Sequence, residues 1–343
     1  MGVVIGVDVG GTKVLALVVD DRGQVLRRGR ATTPGRLVDA SLVEDALTAA
    51  VEEAAAGEAV DAVGVAAAGF VDAAGERVVF APHLPWRGEP LRKRLTERWG
   101  TSVLLDNDAN CAAHAEATYG AARGSRTSLL LTLGTGIGGA LVVDGVVLRG
   151  ANGMAGEFGH MQVVPDGLAC ECGRRGCWEQ YSSGNALVRL AREGLAGAGP
   201  LLAASGGDPD RVTGPMVTEA AQAGDPVALA AFGEVGDWLG VGLADLVAAF
   251  DPDVAVVGGG VAAAGELLLA PARAALDRSL VGAGHRVTPP VVAARLGPEA
   301  GAIGAADLAR RSLALRPHAR WFRRAGTPAP ARPRAARGRA PRR

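Results

Sequence analysis

Aromatic residues are scarce in this chain and make up only 4% of its 343 residues. Together with the 50 glycines, this composition favours a close-packed α/β architecture over an aromatic-rich β-sandwich. No apolar run approaches the roughly 20 residues of a membrane span, so no membrane association is expected. The first residues already have the pattern of a strand and no basic segment precedes them, so we expect no signal peptide and a cytoplasmic location.

Cysteine is also scarce, yet three of the four cysteines, Cys170, Cys172 and Cys177, lie within eight residues, and His160 lies ten residues before Cys170. Cytoplasmic cysteines are more often metal ligands than disulfides. A CxC pair followed by a glycine turn also favours a metal knuckle, with disulfide pairing as the alternative. One His and three Cys ligands complete a tetrahedral site, for which Zn²⁺ is the expected ion. The fourth cysteine, Cys111, lies on an apolar helix face and is interpreted as core.

Charge is balanced overall but unevenly distributed. Residues 314–343 contain ten arginines and no acidic residue, which leaves 26 basic and 36 acidic residues in the rest of the chain. We therefore predict an acidic globular body with a basic tail. Proline and arginine alternate in the tail without an apolar period, so Arg316–Arg343 is predicted to be disordered. A nucleic-acid arm is the alternative, but a solvated tail and no nucleic-acid partner are expected.

Two segments about 125 residues apart have the same pattern. Ile5–Lys13 and Leu131–Gly139 each contain a strand followed by a turn of glycine and threonine, and strand-forming residues come next. Such internal similarity indicates a duplicated fold with a ligand between the halves. Two unrelated glycine-rich hairpins are the alternative.

Hydrophobic periodicity also predicts individual elements. It indicates a strand at Val3–Val9 and helices at Leu37–Ala56, Leu91–Trp99 and Pro226–Phe250. The Gly- and Ala-rich stretch Gly194–Pro209 is predicted to be a loop.

The first glycine turn has the composition of a phosphate site. Gly10 and Gly11 let backbone N–H groups approach phosphate oxygens, Thr12 adds a hydroxyl and Lys13 adds positive charge. Asp8, at the end of the preceding strand, is placed to hold Mg²⁺ or its water shell. The Walker pattern is absent, and an ordinary β-hairpin turn is the alternative.

Two further turns supply candidate nucleotide contacts. Thr135 and Gly136 belong to the second glycine turn and offer a hydroxyl and further amides to the same phosphates. Gly258, Gly259 and Gly260 follow an apolar strand and are candidates to lie against the sugar or base of a nucleotide. A simple cap on the strand is the alternative for these three glycines.

The run Asp106-Asn107-Asp108 ends one apolar strand and begins a helix. One interpretation is that one of these residues simply serves as the helix N-cap. The functional alternative is a general base, because a sugar hydroxyl must lose its proton as it attacks phosphorus.

Four of these features together resemble the ROK family of sugar kinases and sugar-sensing repressors. They are Asp8–Lys13, Asn107-Asp108, the run Glu157–His160 and the knuckle Cys170–Cys177, and the resemblance covers roughly residues 3–312. It implies the α/β, duplicated two-domain fold of actin-like (ribonuclease H-like) ATPases, with a cleft between the lobes. The implied small lobe is 1–106 with about 297–313, and the implied large lobe is 107–296 with the zinc knuckle at 160–177.

The resemblance also implies roles for individual residues. Asp108 corresponds to the catalytic base. The residues implied to bind sugar are Gly69, Asn107, Asp108, Glu157, His160 and Glu179. The zinc, held by His160 and the three knuckle cysteines, is then structural, while ATP and Mg²⁺ serve phosphoryl transfer. His83 stands where relatives often carry Asn, and is expected to be a surface residue.

The activity implied by the resemblance is ATP-dependent phosphorylation of glucose at its 6-hydroxyl. Another hexose substrate, such as N-acetylmannosamine, N-acetylglucosamine, fructose or mannose, is the first alternative, and a non-catalytic sugar sensor is the second. Polyphosphate is an alternative donor, although the cysteine knuckle favours ATP. A homodimer or homotetramer is expected by analogy. Because the phosphate turn begins at residue 8, no DNA-reading domain is expected before it.

Overall fold

The computed structural model describes residues 2–195 and 199–314, and its first half is built around a five-stranded sheet. The strands are β1 (Val3–Val9), β2 (Lys13–Val19), β3 (Val25–Thr32), β4 (Val60–Ala67) and β7 (Ser102–Asn107), with a small hairpin of β5 (Phe70–Val71) and β6 (Val78–Phe80) between the last two. Their order in the sheet is β3-β2-β1-β4-β7. β1 pairs antiparallel with β2 and parallel with β4.

A second sheet repeats this topology. Its strands are β8 (Thr127–Leu133), β9 (Ile137–Val143), β10 (Val146–Val147), β11 (Val254–Gly258) and β12 (Val291–Ala293), in the order β10-β9-β8-β11-β12. β8 pairs antiparallel with β9 and parallel with β11, as β1 does with β2 and β4. The structure thus contains the repeated strand–turn–strand unit that the sequence predicted.

The helices cover both faces of each sheet. They are α1 (Ala40–Ala55), α2 (Leu91–Trp99), α3 (Asp108–Thr118), α4 (Gly184–Glu193), α5 (Pro200–Ala204), α6 (Gly214–Gln222), α7 (Pro226–Phe250), α8 (Glu266–Ser279) and α9 (Ala300–Ala314). α1 and α2 share a core with one face of the first sheet, and α4, α6, α7 and α8 share one with the second. α3 and α9 pack between the two sheets.

Two glycines allow α9 to lie directly on the first sheet. A Cβ added to Gly6 of β1 would lie 1.8 Å from the carbonyl oxygen of Ala302, and one added to Gly64 of β4 would lie 1.9 Å from that of Ala305. Any larger residue would therefore push the helix away from the strands. This contact brings the N-terminus of α9 to the end of β1, where Gly301 lies beside Asp8.

The structure corrects two expectations from the sequence, and a third concerns residues that the structure does not describe. α1 begins at Ala40 rather than Leu37, because the side chain of Asp39 caps the helix by accepting a hydrogen bond from the Ser41 amide. The predicted loop Gly194–Pro209 contains α5, which begins at Pro200 in the first helical turn that proline tolerates. The predicted disorder of Arg316–Arg343 lies outside the described residues.

α7 is long and apolar enough to span a membrane by length and composition alone. About half of it is buried, and it packs along α8. A Cβ on Gly240 of α7 would lie 2.2 Å from the Ala272 carbonyl oxygen, so the two helices are in close contact. This is the packing of a core helix in the second half of the protein.

Asp307 joins α9 to α3 through a buried hydrogen-bond network. Its carboxylate accepts hydrogen bonds from His114 (2.8 Å), Tyr119 (2.7 Å), Arg310 (3.3 Å) and Arg311 (2.7 Å). Burial alone would raise the pKa of Asp307, but the hydrogen bonds from His114 and Tyr119 and the charge of Arg311 outweigh it and hold the pKa well below its usual value.

We expect Asp307→Asn to lower the free energy of unfolding by about 3 kcal/mol, because it removes the charge that compensates the buried donors. The matched control is Asp237→Asn, which removes an exposed carboxylate paired with Arg278 at 3.1 Å and should cost less than about 1 kcal/mol. Chemical denaturation at pH 7 measures both. Because the pKa is lowered, the contribution of Asp307 is present above about pH 5 and is lost only in strong acid. Equal destabilisation by the two variants would contradict this role.

Candidate active site

A cavity of about 480 Å³ opens between α3, the second sheet and the N-terminus of α9. It brings together five of the residues singled out from the sequence, namely Asp8, Asp108, Gly258, Gly259 and Gly260. Its remaining wall includes the segment 297–301, which the sequence analysis did not assign to a site. The volume lies within the range typical of small-molecule pockets.

Asn107 is the N-cap of α3, which leaves the next residue, Asp108, available for chemistry. The Asn107 side-chain oxygen accepts a hydrogen bond from the Asn110 amide at 3.1 Å, and its side-chain nitrogen donates to the Gly69 carbonyl at 3.0 Å. Asp108 accepts one hydrogen bond, from the Ala109 amide at 2.9 Å. Burial raises the pKa of Asp108, although this hydrogen bond opposes the shift.

Asp8 lines the same cavity as Asp108. Burial, together with the charge of Asp108, raises the pKa of Asp8 to about 7, and the charge of Lys13 opposes this shift. Two neighbouring carboxyls in a partly desolvated site favour a cation or a proton between them. Oxygen ligands of this kind are those that Mg²⁺ prefers.

The first glycine turn, which follows Asp8 after one residue, is held in place by two hydrogen bonds. The Gly10 amide donates to the Lys13 carbonyl at 3.1 Å, and the Thr33 hydroxyl donates to the Gly10 carbonyl at 2.8 Å. The side chains of Thr12 and Lys13 are exposed, so their donors face the solvent. The turn is thus a β-hairpin turn, and its exposed donors are also compatible with phosphate binding.

His83 is exposed, as the sequence analysis expected, and it packs against the first glycine turn. A Cβ added to Gly11 would lie 2.8 Å from the Cβ of His83. Glycine is therefore required at position 11 to let the loop that carries His83 approach.

The second and third glycine turns pack on each other. Gly259 has φ +87°, and a Cβ there would lie 2.3 Å from the Leu133 carbonyl oxygen, so glycine is required at this position. In the second turn, Thr135 is exposed and Gly136 lies against the Glu179 carboxylate, where a Cβ would come within 2.2 Å. The structure therefore places the second glycine turn next to Glu179.

Glu157 and Glu179 bring further carboxylates towards Asp108. Burial, together with the charges of Asp108 and Glu179, raises the pKa of Glu157 to about 7. Glu179 Oε2 accepts a hydrogen bond from the Ile137 amide at 3.4 Å, and its Oε1 lies 3.5 Å from His160 Nδ1. A cluster of acceptors of this kind is suited to a ligand with several hydroxyl donors.

His160, Cys170, Cys172 and Cys177 form a candidate metal centre. Their ligand atoms all lie within 4.8 Å of one another, the Sγ atoms of Cys172 and Cys177 are 3.6 Å apart, and His160 Nδ1 lies 3.8 Å from the Cys170 Sγ. Ligands at about 2.0–2.3 Å from a tetrahedral ion are about 3.3–3.8 Å apart, so the donor set and spacing fit zinc. All four cysteines of the chain are free thiols in the structure, which does not support the disulfide alternative.

The comparison with protein families decides the classification. The model of the ROK family matches residues 4–312. The chain belongs to the ROK family.

Individual ROK relatives match over nearly their whole length. A glucokinase of Streptomyces coelicolor is 46% identical over 315 residues, which are 90% of this chain and 98% of that protein. The crystal structure of a ROK family glucokinase from Streptomyces griseus in complex with glucose and AMPPNP is 47% identical, with a TM-score of 0.83 over 90% of this chain and all of that one. A ROK hexokinase from Thermus thermophilus is 38% identical, with a TM-score of 0.70 over 91% of this chain and 99% of that one. The predicted two-lobed, actin-like ATPase fold is thereby confirmed.

One buried ion pair of this ROK protein was not found from the sequence. Asp106, beside the capping Asn107, binds Arg149, which lies beyond the β9–β10 hairpin. The two residues are 43 positions apart, and no local pattern links them.

Proposed function

We propose that this protein transfers the γ-phosphoryl group of ATP to the 6-hydroxyl of glucose. The observation that carries the proposal is the position of Asp108 at the start of α3, close enough to both Asp8 and Glu157 for its charge to raise the pKa of each. A base in this position is close to Asp8, the candidate residue for holding Mg²⁺ beside the phosphates. It is also close to Glu157, a candidate acceptor for sugar hydroxyls. The 46% identical glucokinase supports glucose as the hexose, and the AMPPNP in the 47% identical glucokinase supports ATP as the donor.

Asp108 acts in this proposal as the general base. It accepts the proton of the 6-hydroxyl while the hydroxyl oxygen attacks the γ-phosphorus and ADP leaves. The raised pKa of Asp108 brings it closer to the working pH, which favours proton acceptance. Phosphoryl transfer asks for little covalent chemistry from the protein, so correct placement of the two substrates supplies most of the catalysis.

The nucleotide is proposed to bind along the three glycine turns. Gly10–Lys13 and Thr135–Gly136 offer backbone and hydroxyl donors to the phosphates, and Gly258–Gly260 line the cavity where ribose or adenine is accommodated. Mg²⁺, when bound, neutralises phosphate charge, and Asp8 is the residue proposed to hold it or its water shell.

The sugar is proposed to bind on the opposite side of Asp108. Gly69, Asn107, Glu157, His160 and Glu179 are the proposed contacts with its hydroxyls. His160 directs Nδ1 towards the cysteines, which leaves Nε2 for a sugar hydroxyl. Zinc held by four protein ligands leaves no open coordination position, so we propose that it is structural.

We also propose the boundaries of the two lobes, a cytoplasmic location and an assembly of identical subunits. The small lobe consists of 1–106 with about 297–313, the large lobe consists of 107–296, and closure of the two lobes excludes water from the cleft. The protein is proposed to act as a homodimer or homotetramer.

A coupled assay with a panel of hexoses tests the function. Glucose, mannose, fructose, N-acetylglucosamine and N-acetylmannosamine are each supplied with ATP or with polyphosphate. We expect the highest kcat/KM for glucose with ATP. A preference for another hexose would change the substrate assignment, and sugar binding without turnover of any hexose would point to a sensor instead.

A further inference from the structure

Asp106 is the centre of a hydrogen-bond network at the end of β7. It is only 4% exposed. Its Oδ1 accepts hydrogen bonds from the Asn107 amide at 2.8 Å and from the Asn110 side chain at 3.1 Å. Its Oδ2 accepts from Nε of Arg149 at 2.9 Å and also from Nη2 of that residue. Four donors therefore hold this carboxylate in one orientation, directly before the segment that carries Asn107 and Asp108.

Arg149 comes from the other half of the fold. It follows β10, and its Nη1 donates to the Val147 carbonyl at 3.3 Å. Its own carbonyl accepts a hydrogen bond from the Ala155 amide at 3.0 Å, which closes the loop 150–154. Glu157 lies three residues after the end of that loop. Arg149 therefore anchors the start of the loop that leads to this proposed sugar ligand.

The same loop touches the first half of the protein at a second point. Gly153 has φ +80°, and a Cβ there would lie 2.2 Å from the Val71 carbonyl oxygen in β5. The loop 150–154 thus lies between the two halves, with Arg149 at one end and Gly153 packed on the small hairpin. Its position relative to the end of β7 is fixed by these contacts.

We propose that Arg149 is a positioning residue that acts through Asp106. It fixes the distance between Asp108, on the end of β7 and start of α3, and Glu157, on the loop of the other half. This inference rests on the proposed function of Asp108 and Glu157. Arg149 itself is assigned no contact with sugar or nucleotide.

The chemistry of the pair explains why arginine is needed. Here Nε and Nη2 of the guanidinium both donate to Oδ2 of the Asp106 carboxylate, whereas a lysine ammonium keeps the charge but not this planar pair of donors. Removing the guanidinium leaves the buried Asp106 carboxylate without its cation, so its orientation and that of the Asn107 amide are no longer fixed. A shift of about 1 Å between a base and its substrate can cost about 100-fold in rate.

The experiment is a double-mutant cycle with a matched control. The variants are Arg149→Met, Asp106→Asn, the combination of both, and Arg149→Lys. The control is Arg126→Ala, which breaks an exposed Arg126–Asp144 pair (2.8 Å) at the turn of the neighbouring β9–β10 hairpin. We measure kcat, KM for glucose and KM for ATP separately, the glucose dissociation constant by calorimetry, and the Tm.

We expect the Arg149 variants to change the kinetic constants for glucose much more than KM for ATP. Arg149→Met should lower kcat/KM for glucose by about 100-fold and Arg149→Lys by about 10-fold, while KM for ATP stays within about twofold. Arg126→Ala should stay within about twofold throughout. The combined variant should be no worse than the poorer single variant, because both changes break one interaction.

Several outcomes would overturn the inference. Losses that multiply in the combined variant would mean that Arg149 does not act through Asp106. A lower Tm with kcat/KM for glucose within about threefold of the wild type would mean a purely structural pair. If Arg149→Met does not fold, Arg149→Lys decides by the same criteria. If the wild type and Arg126→Ala turn over no hexose, the proposed function fails. The glucose affinity measured by calorimetry then still tests whether Arg149 acts through Asp106.

Discussion

Asp108→Asn should lower kcat for glucose phosphorylation by at least about 1,000-fold while the glucose dissociation constant changes by less than about threefold. Asparagine keeps the size of the side chain and can still accept the hydrogen bond that the Ala109 amide donates to Asp108. It cannot accept the proton of the 6-hydroxyl. Single-turnover kinetics measure the loss, and calorimetry measures glucose binding.

The control for this prediction is Asp45→Asn, which removes an exposed carboxylate of α1 that pairs with Arg98. Its kcat should stay within about twofold of the wild type. Retention of more than about a tenth of wild-type kcat by Asp108→Asn would assign proton transfer to another group. The raised pKa of Asp108 gives a second readout, since wild-type kcat should fall as the pH is lowered and the base takes up its proton.

Much of the fold could be predicted because its determinants are local in the sequence. β1 and α2 have the predicted limits, Val3–Val9 and Leu91–Trp99, since strand and helix periods differ clearly there. The start of α1 was wrong by three residues, because the side chain of Asp39, rather than the hydrophobic period, sets that end. α5 was missed because five residues in a Gly- and Ala-rich stretch are too few to show a period.

The candidate site likewise contains residues that could be predicted from the sequence and residues that could not. The knuckle cysteines and the run Asp106–Asp108 are close in sequence, so their residue types alone indicated their chemistry. The cavity wall at 297–301 and the Arg149–Asp106 pair depend on which strands become neighbours. The sequence contained one usable signal for the wall, a Gly-Pro pair just before α9. It contained none for the ion pair, because a long-range contact follows only from the topology of the two sheets.

Removal of zinc should cost stability and sugar affinity before it costs phosphoryl-transfer chemistry. The knuckle is a short segment held mainly by local contacts, such as the bridge of Ala169 with Arg175, so metal–ligand bonds are expected to supply much of its folding free energy. Without the ion, His160 and Glu179 lose the support that orients them. We expect about one zinc per chain by elemental analysis. After chelation, the Tm should fall by several degrees and glucose affinity should fall by at least about tenfold.

Two serine variants separate metal loss from the loss of any buried thiol. Cys177→Ser should lose zinc and glucose affinity, whereas Cys111→Ser, at a buried position outside the knuckle, should retain both. ATP affinity should change by less than about threefold in Cys177→Ser, because the cavity that joins Asp8 to Gly258–Gly260 includes no knuckle residue. A chelated, folded protein that binds glucose normally but has lost kcat would contradict this division, since zinc would then act at the reacting end of the sugar.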